Sequence, residues 1–162
     1  ASSSAVREAL AEADFPRAAQ LLGRPYCIGG RVAHGAKLGR SLGFPTANLR
    51  LRRMPPFTGI YAVRVHGLGA VPREAVASLG VRPTVAQGGE PLLEVFVFDF
   101  DADIYGRRIT VEFLHKIRDE ARYPDLHSLT RQIRRDVLRA REFFARTAPA
   151  DPAGGTPAIA RT

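Results

Sequence analysis

The sequence predicts a mainly β domain: a closed or nearly closed antiparallel barrel followed by a long C-terminal helix. Three observations carry this. Short segments rich in β-branched and aromatic residues recur between glycine and proline turns. Near residue 126 the apolar spacing switches to three- and four-residue steps. The chain has 162 residues, 45% hydrophobic and 25% charged, which is an ordinary soluble globular composition and one domain's length. Such a length buries a core without disulfides or a structural metal. Closing a barrel also removes exposed sheet edges.

The elements follow in order. Residues 5–12 read as a short helix with Ser4 as its N-cap, broken at Asp14-Phe15-Pro16. A second runs from Pro16 to Leu22 and stops at Gly23. Tyr26–Val32 reads as a strand, and His34 to Pro45 is rich in turns. Thr58–His66 alternates Ile60, Ala62 and Arg64 against Tyr61, Val63 and Val65. Glu74–Leu79, Leu92–Phe100 and Arg108–Leu114 are further strands, the last two joined by a turn at Ile104–Gly106. From Leu126 to Phe144 one helical stripe holds Leu126, Leu129, Ile133, Val137, Ala140 and Phe144. Arg131, Arg134, Arg135, Arg139 and Arg141 lie largely off it and read as a solvated face. Residues 147–162 are Ala/Pro/Gly-rich, predicted to be flexible and without chemistry.

Composition excludes several classes. Cys27 is the sole cysteine, so an intrachain disulfide framework and an all-cysteine zinc site are ruled out. A reducing, cytoplasmic setting fits. No apolar run approaches the roughly 18–20 residues a membrane span needs, and the N-terminus lacks the pattern of a signal peptide. The net charge is +8 and the pI about 10.7, with lysine only at Lys37 and Lys116. That balance suits anionic partners: nucleic acid, a membrane surface or a phosphorylated small molecule. Aromatic residues are not interleaved with the helical arginines, so base stacking is poorly served.

The most informative stretch is Gly29 to Asn48, GGRVAHGAKLGRSLGFPTAN. Its glycines let backbone N–H groups approach an anion, and Lys37 and Arg40 lie among them. It is neither a Walker A sequence nor a dinucleotide fingerprint, and a plain tight loop also explains the glycines. Pro45 pushes Phe44 towards an extended conformation. If Thr46–Asn48 continue extended, the Thr46 hydroxyl and the Asn48 amide oxygen point the same way. Two neutral oxygens suit Mg²⁺ that takes its other ligands from water and phosphate; turn hydrogen bonds are the alternative.

Glu94 sits in the apolar run Leu92–Phe98. A carboxylate there is costly unless paired with an arginine or given a task. Burial would raise its pKa towards the range of a general base. Asp99, Asp101 and Asp103 have metal-like spacing, but Tyr105-Gly106 follows without the rest of a calcium loop, so a turn is expected. His34 and His66 lack metal partners at sensible spacing; His34 reads as a loop residue facing a nucleotide, and Cys27 as a small core residue.

Several motifs follow one another in order. Gly30-Arg31-Val32-Ala33-His34-Gly35 and Leu38–Leu49 are followed by Gly59-Ile60-Tyr61-Ala62 and by Leu79-Gly80-Val81-Arg82-Pro83-Thr84. Then come Leu93-Glu94-Val95, Asp103-Ile104-Tyr105-Gly106, Ile117-Arg118-Asp119-Glu120, and Gln132-Ile133 with Asp136. Together they resemble the riboflavin kinase family over about Gly23 to Phe144. Ser2 to Leu10 resembles the close of the adenylyltransferase module of bacterial bifunctional FAD synthetases, with Ser4 in place of the usual threonine. Ser78, Phe96 and Val85 stand where the family often has asparagine, histidine and phenylalanine.

The resemblance implies a six-stranded antiparallel Greek-key barrel with a C-terminal helix, and transfer of the ATP γ-phosphate to riboflavin to give FMN and ADP. By the same resemblance Gly30, Val32, His34, Gly35, Lys37, Arg40, Pro45, Thr46 and Asn48 would form the ATP site. Thr46 and Asn48 would ligate Mg²⁺, and Glu94 would be the general base. Arg118, Glu120 and Tyr123 would bind the flavin. Residues 1–22 would be the remnant and linker of a preceding FMN adenylyltransferase module, 23–146 the kinase domain and 147–162 the tail. Neither a nucleic acid nor a membrane is expected as a partner. The alternatives are a flavin-binding module without catalysis and a basic nucleic-acid-binding barrel; the latter leaves Glu94 and the Thr/Asn pair unexplained.

Overall fold

The computed structural model describes residues 3–34, 42–82 and 89–147. Two short helices, α1 (Ser3–Ala11) and α2 (Phe15–Leu22), lead into six strands. These are β1 (Cys27–Arg31), β2 (Ala47–Arg50), β3 (Gly59–His66), β4 (Arg73–Arg82), β5 (Glu90–Val97) and β6 (Arg108–Arg118). A long helix, α3 (Leu126–Thr147), closes the described chain.

All pairings are antiparallel, in the order β1-β6-β3-β4-β5-β2. The run β6-β3-β4-β5 is a Greek key: three consecutive strands, with the fourth returning beside the first. The ring nearly closes where Ala33, just past β1, donates its N–H to the Asn48 carbonyl of β2 at 2.8 Å.

Local chemistry sets the helix ends. Asp14 accepts the Arg17 N–H at 3.1 Å, Pro16 fills the first turn, and Gly23 ends α2 at φ +75°. Ser4, expected as a cap, lies inside α1, which already includes Ser3. The strand expected to reach Phe100 ends at Val97, and the chain turns at Asp99 with φ +53°.

Alternation sorts the strands into two packed layers. Tyr61, Val63 and Val65 of β3 fill the barrel with Leu79, Leu93, Val95 and Val111. Ile60 and Ala62 face outward and pack with Val76, Phe98, Ala140 and Phe144 beneath α3. This is why β3 is buried on both faces. Arg141 lies over Phe98 at 4.4 Å, and His115 stacks on Phe143 at 4.7 Å, which pins the helix further. Phe15 of α2 meets Phe57, Tyr61 and Phe113 edge-on or tilted at 5.7–5.9 Å, so the helical pair shares the barrel's core.

The helical stripe departs from expectation at its start. Leu126 is 55% exposed, while Leu129 and Ile133 line a cavity instead of the core. The first turns of α3 run past the apolar patch that holds Ala140 and Phe144. Arg131, Arg134, Arg135, Arg139 and Arg141 are all exposed.

Candidate functional site

The site lies on the outer face of the barrel. In β5, Leu93, Val95 and Val97 point into the core, so strand alternation turns Leu92, Glu94 and Phe96 outward. Glu94 is flanked in register by Ser78 on β4 and Asn48 on β2. A cavity of about 390 Å³ opens there, within the size range of small-molecule sites. Glu94, Ser78, Phe96, Arg118, Glu120 and Asp136 are among the residues on its wall. A second cavity of about 290 Å³ is lined by Val32, His34, Pro45, Asn48 and Tyr105. Thr46 belongs to the walls of both.

The approach to this divide is built by backbone. Gly43 turns the chain at φ +89°, a conformation that favours glycine, and Pro45 leads Thr46 into β2. Phe44 meets Phe96 edge-on at 5.4 Å. Ala47 and Leu49 enter the core, which leaves Thr46 and Asn48 on the outer side. Asn48 is 4% exposed, and its Oδ1 has no hydrogen-bond partner among the described residues. A buried amide oxygen without a donor is unfavourable by itself and fits a cation ligand. No cluster of three or more His, Cys, Asp or Glu side chains among the described residues forms a metal site.

The far wall of the second cavity is a turn held against β1's extension. Val32 N–H donates to the Arg107 carbonyl and Gly106 N–H to the Val32 carbonyl, each at 2.9 Å. Asp103 Oδ1 accepts the Tyr105 N–H at 3.0 Å, so this aspartate caps a turn, as expected from the absence of a complete calcium loop after it. Asp99 lies 3.3 Å from Arg141. His34 stacks on Tyr105 with ring centroids 3.5 Å apart, a flat aromatic pair at the cavity edge. Gly30 of β1 is paired with Ile109 of β6 and is not part of either wall. Gly35, Lys37 and Arg40 lie outside the described residues.

On the other side, Arg118 ends β6 and its guanidinium is committed to a carboxylate. Its Nε and Nη2 each donate to Asp136 at 2.8 Å, and Nη1 donates to the Asp119 carbonyl at 3.0 Å. Burial disfavours the charge, but the bonds and charge of Asp136, joined by Tyr123 and Glu120, together raise the Arg118 pKa. Glu120 sits against Gly80, where any Cβ would collide with its carboxylate. Burial pushes the Glu120 pKa up, Arg118 opposes this, and Glu94 adds to the rise. The Tyr123 ring lies 5.7 Å from the Arg118 guanidinium. Sequence reasoning named Asp136 only as part of a motif. Its signal was a carboxylate on the apolar face of α3, between Ile133 and Ala140. Cys27 is half-buried in β1, where burial and then Glu112, against Arg24, lift its thiol to about 11.

The flavokinase (riboflavin kinase) family model matches residues 22–144. The chain belongs to the riboflavin kinase family. It is 53% identical over 150 residues to the bifunctional riboflavin kinase/FMN adenylyltransferase of Escherichia coli (strain K12), covering 92% of this chain and 48% of that protein. The chain thus spans about half the length of the curated relatives it matches. A crystal structure described as a macrolide-efflux protein from Streptococcus pneumoniae shares 37% identity at a TM-score of 0.76, over 86% of this chain and 46% of that one. Riboflavin kinase from Trypanosoma brucei shares the fold at 24% identity and a TM-score of 0.54, over 76% and 82%. Membership of this riboflavin kinase family implies riboflavin as substrate and FMN as product. No described helix is long and apolar enough to cross a membrane.

Proposed function

We propose that this chain phosphorylates the terminal ribityl hydroxyl of riboflavin with ATP, giving FMN and ADP. The observation that carries the reading is the shared wall: Thr46 borders both cavities, with Glu94 on one and Asn48 on the other. A reaction that joins two substrates at one phosphorus needs two adjoining chambers and a group at their divide.

In this reading the larger cavity takes the flavin. Its wall includes Phe96 and Tyr123, with Arg118 and Glu120 supplying polar contacts. The smaller takes the nucleotide, between His34, Val32 and Pro45. Glu94 accepts the proton of the ribityl hydroxyl as its oxygen bonds to the γ-phosphorus. The bond from that phosphorus to the β,γ-bridging oxygen breaks, and ADP leaves. Thr46 and Asn48 would hold Mg²⁺, which would neutralise phosphate charge. Gly35, Lys37 and Arg40 would contact the phosphates. Gly30 would support the nucleotide site from within β1. The relatives' names support an FMN adenylyltransferase module in the whole protein; in this reading it precedes the kinase, with residues 1–22 as its connection and 23–146 as the kinase domain. The lone thiol supports a cytoplasmic setting.

The test is chromatographic detection of FMN from riboflavin, ATP and Mg²⁺ with this purified chain. Formation that depends on all three is expected. Binding of riboflavin without any FMN would favour a silent flavin module and overturn the catalytic reading.

A further inference from the structure

Asp136 is the most deeply buried charged residue among those described, at 3% exposure. Removing a carboxylate from water is costly unless donors surround it. Here three do: the two Arg118 bonds, and Gln132 Nε2 to Oδ1 at 3.0 Å. Docking of α3 does not require this arrangement. Ala140 and Phe144 already fix the helix through apolar contact, and an apolar pair commonly replaces a buried ion pair without loss of stability.

The arrangement does reach the flavin-side cavity. Arg118 is the last residue of β6, and the segment after it supplies Glu120, Ala121 and Tyr123 to the wall. Arg118 touches both ends of that segment, through the Asp119 carbonyl and the Tyr123 ring. Arg118 itself lines the cavity, as does Asp136 behind it. An arginine here without its carboxylate would swing among rotamers, and the segment would lose its anchor.

Resting on the reading of the larger cavity as the flavin site, we infer that Asp136 is a positioning residue for flavin: it fixes Arg118, and through it the 119–123 wall. It does not touch the reacting atoms. Its loss falls on riboflavin binding, not on use of ATP.

The experiment uses the purified chain and riboflavin as probe, read by flavin fluorescence without nucleotide, with turnover and thermal melting alongside. Asp136→Asn is expected to weaken riboflavin binding and raise its KM by about 10–100-fold, the worth of one or two charge-assisted bonds. The KM for ATP should stay near that of the parent. Because Asp136→Asn leaves Arg118 buried beside an amide, Arg118→Met and the double variant Arg118→Met/Asp136→Leu keep the question open if it misfolds. The double variant should melt near the parent temperature and bind riboflavin as weakly as Arg118→Met alone, since the two residues act through one path. Unchanged riboflavin binding in Asp136→Asn, even with a lower melting temperature, would show a structural role only and overturn the inference. Additive losses in the double variant would overturn it too. An unmodified chain that binds riboflavin but forms no FMN counts against the proposed reaction alone, because the binding comparison still judges Asp136.

Discussion

Asn48 offers a test in which stability and activity move in opposite directions. Its Oδ1 is buried and has no donor among the described residues. A buried acceptor left unmatched costs about 1–3 kcal/mol. Asn48→Leu removes that oxygen while keeping the branched shape and the same number of heavy atoms, so the ligand-free chain should gain up to that much stability, less whatever its bulkier methyl groups cost. For a domain of this size, each kcal/mol shifts Tm by roughly 2–4 °C, so a rise of several degrees is expected by calorimetry. Nucleotide should reverse the order. A ligand at one hundred times its Kd stabilises by about 2.7 kcal/mol. The parent chain should show that gain with Mg²⁺ and ATP, and Asn48→Leu should show little of it. FMN formation should fall together with the lost Tm shift. A lower Tm without ligand would mean that the oxygen serves the fold. A preserved shift with Mg²⁺ and ATP would refute its role as a cation ligand.

Glu94→Gln should lower kcat by about 10²–10⁴-fold while riboflavin affinity, read by fluorescence, is retained; near-parental kcat would remove Glu94 as the base. Glu120 has a raised pKa, so it holds its proton more readily in the folded chain than in the unfolded one. The stability linked to it is greatest at low pH and declines as pH rises through the folded value. Glu120→Gln should therefore melt above the parent at pH 7, with the difference vanishing near about pH 4, where carboxylates take up protons in either state. A constant difference across that range would contradict the shift. Phe15→Ala should cost about 3–5 kcal/mol in urea unfolding, because it opens a cavity among Phe57, Tyr61 and Phe113. Phe15 lines neither cavity, so FMN formation per folded molecule should persist.

The barrel and its helix were legible where one physical signal dominated. The alternation of β3 named Tyr61, Val63 and Val65 as one face, and they are the inner one. Gly23 ended a helix because its left-handed conformation is easy for glycine. β2 was visible only as a conditional extension, since four residues beside a proline carry too little pattern to stand alone. The facing of β5 was hidden for another reason. Both of its faces are apolar, one towards the barrel core and one towards the cavity with Phe96. Parity alone could not say which side Glu94 takes; the packing of Leu93 and Val95 decides it. Asp136 was obscured by its neighbours: the arginines between residues 131 and 141 drew attention to solvent, while the informative charge lay on the buried side.

The geometry explains why the chemistry sits outside the barrel. Six strands enclose little space, and side chains fill small barrels. Here Tyr61 and Phe113 occupy the interior with ring centroids 5.6 Å apart, and Phe15 and Phe57 pack against them. These rings leave no room among them for a flavin. The larger cavity is therefore built on the outer face by what is laid across it, α3 and the 119–123 segment, while the smaller one opens at the barrel's margin, where Val95 and Val97 of the core meet the turn before Gly106. The two-residue period of β5 separates the tasks within one strand. Leu93 and Val95 enter the core, with Val95 also reaching the smaller cavity, and Glu94 between them faces the larger one. Val95→Ala should consequently lower stability by about 1–3 kcal/mol and leave the riboflavin KM of the folded fraction unchanged. A selective rise in that KM would mean that the two faces are mechanically coupled, and that division of labour along the strand would fail.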